Sequence, residues 1–187
     1  MQWVTQSDEA TEAVGAQLVR ALNRTGIIFL NGDLGAGKTT FCRGVLRALG
    51  YSGAVKSPTF TLVEPYEFDA LNIYHFDLYR LSHPDELNYL GVDEYFHDQA
   101  LCLIEWSQKG SELLPKPDLE VTMMVTGDTE RCLSVSAQTL KGRTALAGLS
   151  KKLRGLTGSA KSSTTLKSLS FAEENRIFLI AVFLSDA

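Results

Sequence analysis

The stretch GDLGAGKTT, residues 32–40, follows the apolar run IIFL, residues 27–30, after a single asparagine. Its first and last glycines, with Lys38 and Thr39, match the pattern G-x-x-x-x-G-K-[ST]. Glycines let a backbone adopt positive φ, so that successive N–H groups converge on one anion. A helix that follows adds the positive end of its dipole. Strand, glycine-rich loop and helix occur here in the order that a phosphate-binding loop requires, which predicts a nucleotide-binding fold.

Two side chains of this loop supply chemistry that its backbone cannot. Lys38 is predicted to neutralise the β- and γ-phosphates, and the hydroxyl of Thr39 is predicted to bind Mg²⁺. A nucleotide with Mg²⁺ is therefore the expected ligand. The predicted nucleotide-binding residues of the loop are Asp33, Leu34, Gly35, Ala36, Gly37, Lys38, Thr39 and Thr40.

Hydrolysis would also need an acid that organises Mg²⁺ and water, normally at the end of an apolar strand. Glu105 ends the apolar strand ALCLIEW in the position of a Walker B acid, and an exposed strand-end carboxylate is the plainer alternative. Asp77 lies inside YHFDLYR, in the middle of a predicted hairpin strand, where an ion pair with Arg80 is the alternative. Only one acid need touch the metal. Asp77 and Glu105 are both candidates for metal binding and, with Lys38, for catalysis, and the division of roles stays open.

Ser57 and Thr59 flank Pro58 between the loop and the two acids. Hydroxyls beside a rigid proline are suited to sensing a γ-phosphate, as GTPase switch segments do, so both are predicted nucleotide contacts. A turn that leads into a strand is the alternative. His75 lies two residues before Asp77 and so on the same face of the predicted strand, where it could support that acid. A core or surface histidine is the default interpretation. The three histidines do not share a zinc-ligand spacing.

Strand and helix patterns alternate along the chain. This alternation predicts an α/β fold, namely a P-loop NTPase-like three-layer sandwich with a central mixed β-sheet. Ser7 followed by two acids predicts a helix start. The predicted elements are helices over 7–23, 39–49 and 144–153 with a further helix from Pro84, strands over 27–30, 59–67, 72–80 and 100–106 with a turn around Asp69, and a last hairpin of LEVTMMV and RCLSVSA.

Composition and charge exclude several classes of protein. The 187 residues suit one domain, and the formal net charge of -4 supplies no basic face for an autonomous nucleic-acid binder. Three widely spaced cysteines favour free thiols in a reducing compartment. The first residues have no signal-peptide pattern, and the longest apolar run, IFLIAVFL, is far shorter than a membrane span. We expect a cytoplasmic protein with no membrane contact.

The composition changes towards the C-terminus. GLTGSAKSSTTLKSLS, residues 155–170, is rich in Ser, Thr, Gly and Lys and predicts a linker or disordered tail. FAEENRIFLIAVFLSDA, which follows, has the pattern of a docking helix or an added strand. We expect a P-loop domain over 1–153 and a C-terminal extension over 154–187, whose plainest interpretation is a dispensable one.

Five segments, in this order and spacing, resemble the bacterial TsaE family over about residues 5–150: GDLGAGKTT, VKSPTFTLVEPY, YHFDLYRL, LGVDEYF and LCLIEWS. The resemblance implies a small P-loop ATPase that binds the TsaB–TsaD protein pair. It implies support of threonylcarbamoylation of the adenosine beside the anticodon in tRNAs, with tRNA met only indirectly through the complex. ATP and Mg²⁺ are the implied cofactors.

The resemblance also implies residue roles. Thr39 would be a metal ligand, residues 57–61 the switch-like segment, Asp77 the acid of an HxDxYR-like stretch, and Glu105 the strand-end acid before Trp106. The family's usual proline after the tryptophan is serine here, which affects the local turn rather than the chemistry. Because no arginine finger can be assigned from the sequence, we expect slow hydrolysis by the isolated protein.

Two other functions fit a phosphate-binding loop. A P-loop kinase for a small molecule would usually need an arginine-bearing lid, and the chain between the two candidate acids offers only Arg80. A GTP-dependent switch or binding module would need a guanine-reading N-K-x-D stretch, which the sequence lacks. Both stay as alternatives to the ATPase subunit.

Overall fold

The structure is a computed structural model that describes residues 1–68, 71–156, 166–173 and 176–183, with side chains as far as residue 154. The predicted turn around Asp69 lies outside the described residues. The chain forms an α/β fold with one mixed sheet, as the sequence predicts.

In the part of the chain that the structure describes, nine strands make up the sheet in the order β3-β4-β5-β2-β6-β7-β1-β9-β8. The pairs β4–β5, β5–β2 and β2–β6 are parallel, and the other five pairs are antiparallel. The strands are β1 (Gln2–Thr5), β2 (Gly26–Asn31), β3 (Val63–Phe68), β4 (Leu71–Asp77), β5 (Ala100–Glu105), β6 (Leu119–Val125), β7 (Arg131–Ala137), β8 (Leu166–Glu173) and β9 (Arg176–Phe183).

Helices connect the strands. Those of the described residues are α1 (Asp8–Ala21), α2 (Lys38–Ala48), α3 (Glu86–Tyr89) and α4 (Leu140–Leu156), with short 3₁₀ turns at Val92–Tyr95 and Ser107–Lys109. The side chain of Ser7 accepts a hydrogen bond from the N–H of Ala10, which confirms the predicted cap of α1. No helix of the part of the chain that the structure describes is long and apolar enough to cross a membrane.

Strand β5 is buried on both faces, because elements pack on each side of the sheet and make the fold three-layered. Along β5, Leu101 and Leu103 pack into one core with helices α1, α2 and α4, whereas Cys102 and Ile104 pack into a second core with Leu87 of α3. Successive side chains of a strand point to opposite faces, so both faces of this strand are covered. A strand of this kind reads as a continuous apolar run, which is what ALCLI is.

Several boundaries differ from the sequence prediction. Residues 59–62 form a turn rather than the start of a strand, because the N–H of Leu62 bonds back to the carbonyl of Pro58 at 2.8 Å. Strand β4 ends at Asp77, so this acid lies at a strand end and not in the middle of a hairpin strand. Helix α4 begins earlier than predicted, since the Thr139 hydroxyl accepts from the N–H of Gly142 at 3.1 Å and so caps it.

The C-terminal segment adds two strands to the sheet. β9 pairs antiparallel with β1, and β8 pairs antiparallel with β9. Residues 166–170 lie in β8, and the apolar run from Arg176 to Phe183 forms β9. A division into a domain over 1–153 and an extension over 154–187 stays a prediction.

Candidate functional site

Three parallel strands bring the predicted site residues to one edge of the sheet. Strand β4 pairs with β5 so that Asp77 lies opposite Glu105, and β5 pairs with β2 so that Glu105 lies opposite Leu30. The glycine-rich loop begins directly after β2. Because the carboxyl ends of parallel strands share one edge, the loop and both acids border the crevice where α/β sheets bind ligands.

The backbone of the loop has the geometry that its glycines predict. Gly32, Gly35 and Gly37 have φ of 146°, 79° and 102°, values that other residues rarely adopt. A Cβ on Gly32 would lie 2.5 Å from the carbonyl oxygen of Met123 on β6. A Cβ on Gly35 would have no heavy atom within 4 Å. The first glycine therefore allows close packing against the sheet, while Gly35 faces open space.

Lys38 is buried at the start of α2. Its ammonium donates to the carbonyl oxygens of Gly32 at 2.8 Å and Asp33 at 2.9 Å, and it lies 4.4 Å from the centroid of the Trp106 ring. Burial lowers the pKa of Lys38, and the negative charge of Glu105 is the main opposing effect. A bound anion would favour the charged form further.

Thr39 and Glu105 are in direct contact. The Thr39 hydroxyl donates to Glu105 Oε1 at 3.1 Å, and Nε2 of His75 lies 2.9 Å from the same oxygen. Hydroxyl and carboxylate oxygens are ligands that Mg²⁺ accepts, so the donor set fits the metal that the sequence predicts. The sequence suggested that His75 supports Asp77. This is wrong, because the ring of His75 contacts Glu105 instead.

Asp77 binds the SPTF segment. Its Oδ2 accepts from the hydroxyl of Ser57 and from that of Thr59, the latter at 2.7 Å, and its Oδ1 accepts from the N–H of Tyr79 at 3.0 Å. The alternative ion pair with Arg80 is not what the geometry shows, since that guanidinium lies over the ring of Phe60, 4.1 Å from its centroid. The two acids therefore have separate partners, one in the loop and one in the SPTF segment.

Strained backbone lies on both sides of these acids. Leu62, which ends the SPTF turn, has φ of 64°, and Trp106, directly after Glu105, has φ of 59°. Each bulky residue in this region costs on the order of 1–3 kcal/mol, and such residues concentrate at functional sites. The carbonyl of Leu62 accepts from the N–H of Asp77 at 3.0 Å, which ties the strained turn to β4.

A buried cysteine adjoins the contact of Glu105 with His75. Ligand atoms of Cys42, His75 and Glu105 all lie within 4.8 Å of one another. Burial raises the pKa of the Cys42 thiol well above its usual value, and the charges of Glu105 and Asp77 raise it further. Because Mg²⁺ prefers oxygen ligands, this thiol is not assigned to the predicted magnesium site.

Sequence reasoning missed these two neighbours of Glu105. Cys42 lies one helical turn after Lys38, and His75 lies two residues before Asp77 on the same strand face. These spacings place the two residues near Lys38 and Asp77, but neither spacing indicates that both lie beside Glu105.

Comparisons with known proteins identify the family of the chain. The family model for "Threonylcarbamoyl adenosine biosynthesis protein TsaE" matches residues 5–133. Two relatives carry the name tRNA threonylcarbamoyladenosine biosynthesis protein TsaE. The Haemophilus influenzae protein is 48% identical over 66% of this chain and 78% of its own, and the Bacillus subtilis protein is 43% identical over 73% and 85%.

A solved structure has the same fold. The crystal structure of Bacillus subtilis YdiB superposes with a TM-score of 0.67 at 34% identity, and the match covers 82% of this chain and 96% of that one. The matched family region contains the loop, the SPTF segment and both acids. The chain therefore belongs to the TsaE family of threonylcarbamoyladenosine biosynthesis proteins.

Proposed function

We propose that this protein is an ATPase subunit that supports threonylcarbamoyladenosine modification of tRNA and acts with a TsaB–TsaD complex. The observation that carries the proposal is the contact of the loop hydroxyl of Thr39 with the strand-end carboxylate of Glu105, beside the buried ammonium of Lys38. A phosphate loop that served only to bind would not need this acid. The names of the relatives support the tRNA pathway.

The loop and Lys38 bind the phosphates. Backbone N–H groups of residues 33–40 and the N-terminal end of α2 supply fixed positive potential. Lys38 moves its hydrogen bonds from the loop carbonyls to phosphate oxygens and so stabilises the charge that develops there. The ring of Trp106 shields the ammonium on one side and limits its exposure to water.

Thr39 and Glu105 would hold Mg²⁺, through a hydroxyl and a carboxylate oxygen that lie 3.1 Å apart. When bound, this ion neutralises charge on the β- and γ-phosphate oxygens. Glu105 is assigned to the metal side of the site because its partner Thr39 is the loop threonine. Asp77 has no such contact with the loop among the described hydrogen bonds.

Asp77 is then the acid that orients the attacking water. Its carboxylate already accepts hydrogen bonds from the hydroxyls of Ser57 and Thr59, so movement of the SPTF segment changes what this carboxylate binds. Such a segment gives the site a means to register the γ-phosphate. The proposal includes slow turnover by the isolated protein, with stimulation by the partner complex.

Reconstitution tests the proposal. The purified chain is mixed with TsaB and TsaD, with and without ATP and Mg²⁺, and association, phosphate release and tRNA modification are measured. We expect association that depends on the nucleotide and turnover that rises with the partners. Absence of nucleotide-sensitive association, or turnover of at least about 1 s⁻¹ by the isolated chain, would contradict the proposal.

Two further measurements separate the alternatives. Competition between ATP and GTP distinguishes an ATPase from a GTP-dependent switch, and we expect ATP to be preferred. Analysis of the reaction products for a phosphorylated small molecule tests the kinase, and we expect free phosphate as the product instead.

A further inference from the structure

We infer that His75 is a positioning residue that holds Glu105 against Thr39 and so sets how strongly Mg²⁺ promotes nucleotide binding and turnover. The inference rests on the proposed function, since it concerns the same site. Nothing in the chain's resemblance or in its relatives' names gives this histidine a role.

The first argument is the geometry around one oxygen atom. Glu105 Oε1 accepts from the Thr39 hydroxyl at 3.1 Å, while Nε2 of His75 lies 2.9 Å away on the neighbouring strand β4. His75 lies opposite Leu103 and Asp77 opposite Glu105, so the ring reaches diagonally across the strand pair. Two donors from different elements fix a long carboxylate side chain that a single donor would leave free to rotate.

The second argument is what burial of this histidine costs. His75 is completely buried, and its Nδ1 has no hydrogen-bond partner among the residues whose side chains the structure describes. A buried polar atom without a partner destabilises a fold by about 1–3 kcal/mol. The neighbouring side chains on the same face, Ile73 and Leu103, are apolar and fully buried. A leucine would therefore serve the core as well, and the contact with Glu105 is what an imidazole adds.

The contact also defines the ring's orientation. Nε2 must carry a proton in order to donate to a carboxylate, so the donor position that matters is Nε2. A glutamine amide can place its nitrogen near the position of Nε2, whereas an asparagine amide reaches only as far as Nδ1. The pair His75→Gln and His75→Asn therefore tests the donor's position, and His75→Leu removes the donor while keeping the core apolar.

The experiment measures ATP affinity by calorimetry, in excess EDTA and in Mg²⁺, for the full chain and these three variants. Single-turnover hydrolysis with TsaB and TsaD, and thermal unfolding, are measured on the same samples. With His75→Leu and His75→Asn we expect the gain in affinity caused by Mg²⁺ to fall about tenfold or more, and hydrolysis likewise. Affinity in EDTA should change by less than about threefold, and His75→Gln should restore most of the gain.

His83→Leu is the matched control. This histidine is exposed and lies beside Asp85, with Nδ1 3.2 Å from the carboxylate, outside the site. We expect it to leave both affinities and the turnover unchanged.

Three results would overturn the inference. Retention of the Mg²⁺-dependent gain by His75→Leu would show that the ring does not position Glu105. Equal loss of affinity in EDTA and in Mg²⁺ by every His75 variant, with lowered thermal stability, would show a role in the core alone. Absence of any Mg²⁺-dependent gain in the unsubstituted chain would overturn the metal part of the proposed function as well. Only this third result is seen with the unsubstituted chain. Failure of the proposed metal site can therefore be distinguished from failure of the role inferred for His75.

Discussion

At the scale of single residues, the ammonium of Lys38 is a buried positive charge in direct contact with the loop. It is 4% exposed, and in this structure its donors are satisfied by two carbonyl oxygens of the loop itself. Phosphate oxygens are stronger acceptors than carbonyls because they carry charge. Lys38 therefore exchanges one set of hydrogen bonds for a better one when a nucleotide binds, without first being desolvated.

We predict that Lys38→Ala weakens ATP binding by about 10- to 150-fold, the equivalent of one lost hydrogen bond to a charged group. Calorimetry with ATP measures the effect. Lys116→Ala, at an exposed position in the loop before β6, is the control and should bind as the unsubstituted chain does. Equal affinities of the Lys38 and Lys116 variants would show that the loop lysine does not contact phosphate.

A matched pair of glycine substitutions separates backbone strain from steric clash. Gly32 and Gly35 both have positive φ, but only a Cβ on Gly32 would approach a carbonyl oxygen, that of Met123 at 2.5 Å. We predict that Gly35→Ala costs about 1–2 kcal/mol from strain alone, or roughly 2–8 °C in Tm, and that Gly32→Ala costs clearly more. Thermal unfolding by calorimetry measures both. A smaller loss for Gly32→Ala would show that β6 yields to the added methyl group.

The loop residues could be predicted from the sequence because their signal is local. All of them lie within nine consecutive residues, which include the glycines, Lys38 and Thr39. The pattern of apolar residues also predicts the strand before the loop and the helix after it. The division of roles between Asp77 and Glu105 could not be predicted, because it depends on which carboxylate faces Thr39 across the sheet. That contact follows from the parallel pairing of β5 with β2, the strand before the loop, which no local pattern encodes.

At the scale of elements, the SPTF segment is bound through its side chains and one strained turn. Ser57 and Thr59 donate to Asp77, and Leu62 ends the turn at φ of 64°. Phe60 is 82% exposed, whereas Pro58 is buried and Leu62 is partly buried against the second core. The hydrogen bonds to Asp77 therefore add to this packing and to the backbone bonds of the turn in ordering the segment.

We predict that replacing Ser57 by Ala and Thr59 by Val together speeds amide hydrogen exchange at residues 60–62. Each hydrogen bond to a charged acceptor contributes about 1.5–3 kcal/mol. If the opening of the turn becomes easier by the free energy of one such bond, exchange through local opening becomes about 10- to 150-fold faster. Hydrogen exchange read by mass spectrometry measures it. Ser52→Ala, at an exposed position just before the segment, is the control. Unchanged exchange in the double variant would mean that the turn is held by its backbone alone.

Element boundaries were the least predictable part of the fold. The run TFTLVEPYE has the composition of a strand, yet residues 59–62 form a turn, in which the N–H of Leu62 bonds to the carbonyl of Pro58 and the hydroxyl of Thr59 bonds to Asp77. A side-chain contact between residues 18 positions apart overrides local propensity there. Strand β4 likewise stops at Asp77, where the carboxylate takes over the N–H of Tyr79.

At the scale of the whole molecule, the sheet separates the candidate site from the C-terminal strands. The acids end β4 and β5 and the loop follows β2, whereas β9 and β8 lie beyond β6, β7 and β1 in the sheet order. β9 pairs with β1 over Gln2–Thr5. The C-terminal strands therefore extend the edge of the sheet that lies away from the site.

We predict that a chain ending at residue 156 binds ATP as the full chain does, within about threefold, because no strand of the site pairs with β8 or β9. The cut keeps Leu149 and Leu153 of α4, which are buried in the main core. Thermal stability should fall, because β1 loses one of its two neighbours and exposes unpaired backbone at a sheet edge. Calorimetry of ATP binding and of unfolding measures both effects. Loss of ATP affinity in a chain that still unfolds cooperatively would contradict the separation, and would place residues 157–187 among those that shape the site.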